Sequence, residues 1–232
     1  MDNLTTLTIS AASLAFVHTI FGPDHYLPFI VIARARKWTI FKTTWVTVLS
    51  GFGHVISSVL LGVIGIAIGI GLNHLELVES FRGDIAAWLF VLFGFAYMTW
   101  GIYRAIRNKP HKHFHHHENG SLHVHEHIHL EAHDHVHKTN ITPWILFTIF
   151  FLGPCEPLIP IVMYPASRSS TWGIAQVSLV FSMVTILTML GLVLLASYGF
   201  RFVKLGRMER YMHAIAGGTV FLSGIGILFL GL

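Results

Sequence analysis

The chain has 232 residues, 53% of them hydrophobic and only 11% charged, with a mean hydropathy of +0.65 and a net charge of +4 when histidine is neutral. Soluble domains carry about 25% charged residues, so this composition cannot clothe a water-facing surface and excludes an ordinary soluble enzyme. The one cysteine, Cys155, excludes an intramolecular disulfide, a paired-cysteine zinc ribbon and a two-thiol relay within the chain.

In chain order, the apolar runs predict an all-α polytopic membrane protein of six spans, at about residues 4–33, 43–72, 84–103, 142–166, 173–199 and 211–231. The first has no basic leader and is too long for a signal core, so it is expected to stay in the protein. It holds His18, then Gly22-Pro23, then Asp24-His25. Span two holds His54 within Ser50-Gly51-Phe52-Gly53-His54, followed by Ser57 and Ser58. Span four opens on Gly153-Pro154-Cys155-Glu156-Pro157. The expected units are residues 1–103, a polar loop at 104–141, and residues 142–232.

Thirteen of the 15 Lys and Arg fall in the first, third and fifth connections, and Arg82 and Arg168 in the other two. This asymmetry places the odd connections in the cytoplasm and both termini outside it, as in a bacterial-type inner membrane. The basic residues follow the membrane edges rather than forming a patch, which argues against nucleic acid. The expected partners are the bilayer and transition-metal ions, and a homo-oligomer is left open.

At an offset of 131 residues, Gly22-Pro23 coincides with Gly153-Pro154, Leu27 with Leu158, and Ile30-Val31 with Ile161-Val162. Three spans repeated once would give two halves of opposite orientation, a 3+3 inverted repeat. Proline lacks the N–H that continues a helix and glycine loosens the turn before it, so helices one and four are expected to break at mid-membrane. Non-helical backbone at that depth is tolerated where it is buried or lines a wet cavity.

Ionisable side chains follow both breaks: Asp24 and His25 in the first half, Cys155 and Glu156 in the second. Such groups are costly in a bilayer and suggest function. Imidazole with carboxylate suits Ni²⁺, Co²⁺ or Zn²⁺, and a thiolate shifts the preference to softer ions. The candidate metal ligands are therefore His18, Asp24, His25, His54, Cys155 and Glu156. A proton relay through the same residues is the competing reading, and an isolated histidine would more often be a packed side chain.

The 104–141 loop holds twelve of the 17 histidines: His111, His113, His115, His116, His117, His123, His125, His127, His129, His133, His135 and His137. With little apolar surface to bury, it is expected to be disordered and to bind metal loosely as a cytoplasmic collector.

This order of motifs, from His18 and Gly22-Pro23-Asp24-His25 through Gly53-His54 and the histidine loop to Gly153-Pro154-Cys155-Glu156-Pro157, resembles the nickel/cobalt transporter superfamily, notably its efflux and urease-accessory-like branches. The resemblance implies a permease for Ni²⁺ or Co²⁺ whose ions pass His18, Asp24, His25 and His54. Importers of that family place four residues between the first His and the Asp-His pair; here there are five, Thr19 to Pro23. Span four also looks like the membrane domain of thiol-disulfide electron carriers. That activity needs a cysteine pair, so only a shared fold is expected.

The resulting expectation is a secondary transporter of Ni²⁺ or Co²⁺, with efflux favoured over uptake. The metal is cargo, no cofactor is permanently bound, and the chain is not expected to be an enzyme, since GxSxG and P-loop motifs are missing. The alternative is a carrier of an anion or organic acid in the same wider fold, with a regulatory histidine loop.

Overall fold

The computed structural model describes residues 3–107, 111–116, 122–127, 141–155, 157–167, 170–203 and 206–230. Among them are eight α-helices: α1 (Asn3–Phe21), α2 (Leu27–Ala35), α3 (Ile40–Ala67), α4 (Leu72–Arg107), α5 (Thr142–Leu152), α6 (Leu158–Ser167), α7 (Thr171–Phe202) and α8 (Met212–Leu230). A 3-10 turn at Pro23–His25 joins α1 to α2, and another at Gly206–Tyr211 leads into α8. Within the 104–141 segment, β1 (His111–His116) and β2 (Leu122–His127) pair antiparallel, with His113 opposite His125.

Six spans in two sets of three are not what the chain builds. Five helices are long and apolar enough to cross a membrane: α1, α3, α4, α7 and α8. Three precede the 104–141 segment and two follow it, so the 3+3 division fails. The reason lies in the prolines. The expected span at 142–166 is cut after Leu152, where Gly153 takes an extended ψ of 139° and Pro154 offers no N–H. What remains is α5 with 11 residues and α6 with 10, about 16 and 15 Å of helix against a hydrocarbon core of about 30 Å. The expected span at 4–33 is likewise divided, but α1 reaches across by itself with 19 residues before Pro23 stops it.

α4 starts at Leu72, well before the expected residue 84, and runs for 36 residues, about 54 Å. In its third turn Arg82 and Glu79, three residues apart, form an ion pair at 2.8 Å that supports the helix there. α4 packs most extensively against α8. Glycines let the two backbones touch: a Cβ on Gly94 would run into the backbone of Phe221, and one on Gly217 into that of Met98. Outward side chains such as Leu195 and Phe229 are exposed, as suits a lipid-facing surface.

Two apolar clusters form the interior. One gathers Phe29, Phe90, Phe150, Met189 and Val220. The other gathers Ala11, Ala15, Val55, Cys155, Leu158 and Phe181, from α1, α3, α6, α7 and the break before α6. His54 stands at their junction, against Phe150 of the first cluster and adjacent in sequence to Val55 of the second.

Candidate metal centre

Each histidine of the site is placed by a helix or its end. His18 lies in the last turn of α1, whose ladder closes with Gly22 N donating to His18 O at 2.9 Å. The 3-10 turn then folds His25 back onto α1, with His25 N donating to Gly22 O at 3.0 Å. Glycine is required at 22, because a Cβ there would lie 2.6 Å from His25 Nδ1. His54 comes from the middle of α3. The three rings stand edge to face in a row, His18 to His25 at 4.8 Å and His25 to His54 at 5.1 Å. Asp24 Oδ1 lies 3.2 Å from His25 Nδ1.

The orientation of His54 is fixed by the break in the second half. Its Nδ1 lies 3.2 Å from the Phe150 carbonyl, in the last turn of α5. A carbonyl can only accept, so Nδ1 carries the proton and Nε2 presents a lone pair. Nε2 of His54 and Nε2 of His18 are both buried without a hydrogen-bond partner. Cys155 follows the break, is fully buried, and donates its backbone N–H to Ser58 Oγ at 3.2 Å.

Ligand atoms of His18, His54 and Cys155 lie within 4.8 Å of one another. An ion with bonds of about 2.0–2.3 Å holds its ligand atoms about 3.5–4 Å apart, so closing by about an ångström would seat one. Two imidazoles and a thiolate suit copper or zinc better than the harder ions of a carboxylate set. The unpartnered Nε2 atoms, which would otherwise cost desolvation energy for nothing, fit such an ion. A cavity of about 330 Å³ adjoins the site, lined by His18, Asp24, His25 and His54 and, from α4, by Ser80 and Asp84.

Of the residues expected from sequence, His18, His54 and Cys155 thus meet. Asp24 and His25 line the adjoining cavity beside them. Glu156 lies outside the described residues, as do the side chains of the twelve loop histidines. Sequence reasoning passed over Arg82 and Glu79, which sit behind the break. The signal available was a basic and an acidic residue three apart beside an apolar run. Away from the site, His213 Nδ1 is 2.8 Å from Tyr97 Oη.

These features define a polytopic membrane protein with a buried His–His–Cys donor set. The model of the cytochrome c biogenesis protein transmembrane region matches residues 28–226, and the chain belongs to that family. The expected kinship with thiol-disulfide electron carriers is therefore real, whereas the nickel/cobalt superfamily finds no support. Neither a curated protein nor a solved structure matches the chain.

The family corrects the expected function. The homology points to a thiol-disulfide or electron-transfer membrane protein, not to the dedicated Ni²⁺ or Co²⁺ permease that was expected. The chemistry of the site agrees: of the expected ligands among the described residues, the compact set keeps His18, His54 and Cys155 and not the Asp24 carboxylate, and a sulfur donor moves metal preference toward softer ions than Ni²⁺ and Co²⁺. The motif resemblance misled because His-Asp-His patterns in a membrane report a polar interior, not the direction of traffic through it.

Proposed function

We propose that this chain is an electron-transfer membrane protein whose redox group is a transition-metal ion, copper by preference, held by His18, His54 and Cys155. The observation that carries the reading is the convergence of these three donors within 4.8 Å at a helix break. Family membership supports electron transfer, the single thiol of the chain rules out a dithiol cycle inside it, and a metal at the three donors would supply a group able to accept one electron. Two histidines with one cysteine form the donor set of copper electron-transfer sites. Cys155 sits in the apolar cluster, while His18 and His54 line the adjoining polar cavity, so the ion would be apolar on one side and reachable from the other, surroundings that tune its potential. The lysine and arginine asymmetry favours a cytoplasmic 104–141 segment, whose histidines would gather the ion loosely for the buried site. On this reading the chain carries electrons and catalyses no reaction of its own.

The test is a potentiometric titration of the copper-loaded protein in detergent. A one-electron wave present in the wild type and lost in Cys155→Ser supports the reading. A wave that survives in Cys155→Ser, or none in copper-loaded wild type, refutes it.

A further inference from the structure

Three tethers converge on the chain break that carries Cys155. α5 ends at Leu152, where the Gly153 N–H still closes onto the Ile149 and Phe150 carbonyls at 2.9 and 3.1 Å, but Pro154 has no N–H and the Cys155 N–H is turned to Ser58, so the Phe151 carbonyl is left to partners outside the helix. The C-terminal end of a helix carries partial negative charge, which a nearby cation offsets. Arg82 of α4 supplies that cation. Its Nη2 donates to the Phe151 carbonyl at 3.0 Å, reaches the Gly153 carbonyl at 3.5 Å, and donates to Ser57 Oγ at 2.7 Å. Its Nη1 donates to Oε1 of buried Glu79 at 2.8 Å. The other two tethers come from α3 directly, as His54 holds the Phe150 carbonyl and Ser58 holds the Cys155 N–H. The residue after Arg82 presses on the same segment, since a Cβ on Gly83 would lie 2.9 Å from Pro154 Cγ.

We infer that Arg82 is a positioning residue for Cys155: its guanidinium, oriented by Glu79, ties the Phe151–Gly153 backbone to Ser57 and so sets the thiol against His54, three residues earlier on α3. One planar fork spans a carboxylate, a hydroxyl and the freed carbonyls, a task for which an ammonium has the charge but not the geometry. The consequence for metal rests on the proposed function; the tether itself does not.

The test uses the full chain in detergent and two readouts: the rate at which a maleimide alkylates Cys155, and the thiolate-to-metal charge-transfer band of the Co²⁺-loaded protein. Both report one site, because the chain has one thiol. In Arg82→Gln, alkylation is expected to accelerate at least ~10-fold, equivalent to about 1.4 kcal/mol, and most of the band to disappear. Arg82→Lys should fall between that variant and the wild type. The double variant Glu79→Gln/Arg82→Gln removes both buried charges and should behave like Arg82→Gln; it also carries the test if the single variant does not insert. Gly83→Ala, which crowds Pro154 with Arg82 intact, should alter the band as well. Wild-type alkylation and band in Arg82→Gln would overturn the assignment. Recovery of wild-type behaviour in the double variant would also overturn it, tracing the defect to a stranded Glu79. Accelerated alkylation in Arg82→Gln with no band in the wild type would keep the tether and refute the metal reading.

Discussion

His54 Nδ1 and the Phe150 carbonyl, 96 residues apart in sequence, lie 3.2 Å from each other and join the two halves of the molecule at the site. The contact selects the tautomer in which Nε2 keeps its lone pair, and that atom is buried with no hydrogen-bond partner. The contact also adds a second donor to a carbonyl that, with Pro154 lacking an N–H, accepts within the helix only from Gly153 N at 3.1 Å. A ligand and its orienting group are thus assembled from the same interruption.

Replacing His54 removes both roles. His54→Ala is expected to weaken metal binding at the buried site by at least ~10–100-fold, the range seen when even an outer partner of a metal ligand is lost. Competition with a chromophoric chelator, followed through the thiolate band so that loop histidines do not contribute, measures it.

Cys155→Ser should separate the buried site from the loop. Total copper uptake falls by one ion per chain and the thiolate band vanishes, while binding by the histidines of residues 111–137 persists. Metal analysis after gel filtration gives the difference directly.

The α4–α8 contact predicts a steric phenotype away from the site. Gly94→Ala and Gly217→Ala insert a methyl into opposing backbone and should each destabilise the fold by about 1–3 kcal/mol. Gly62→Ala meets nothing within 4 Å and should change stability by less than about 0.5 kcal/mol. Equilibrium unfolding in mixed micelles distinguishes the two classes.

Tyr97 binds His213 Nδ1 at 2.8 Å and accepts from Arg36 Nε at 3.2 Å, linking α4, α8 and the end of α2. Tyr97→Phe removes the hydroxyl and leaves both partners without it, so a loss of about 0.5–1.5 kcal/mol per hydrogen bond is expected. Unfolding in the same micelles measures it, and the thiolate band should be unchanged.

Much of the membrane character was legible because hydropathy acts locally: the long apolar runs at α3, α7 and α8 are visible residue by residue. The Gly-Pro pairs announced where helices would break, and the break at Gly153-Pro154 is where α5 ends. What the pairs could not say is how short the pieces would be, so a sixth span was expected where 11- and 10-residue helices stand. The site was legible as an inventory but not as a set. His18, His54 and Cys155 are distant in sequence, and only the folded-back turn at Pro23–His25 and the tether at Phe150 decide which imidazoles meet the thiol. Arg82 was hidden for a related reason. It was counted as a charge in a connection, whereas α4 extends through that connection and turns Arg82 toward the α5 break.

The central claim is that Cys155 and the two histidines hold one metal ion. The most direct measurement is the absorption spectrum of the full chain titrated with Cu²⁺ and, separately, with Co²⁺. The account predicts a sulfur-to-metal charge-transfer band that saturates at one ion per chain and is lost in Cys155→Ser and His54→Ala. Absence of any such band from folded wild-type protein whose Cys155 is reduced would contradict it.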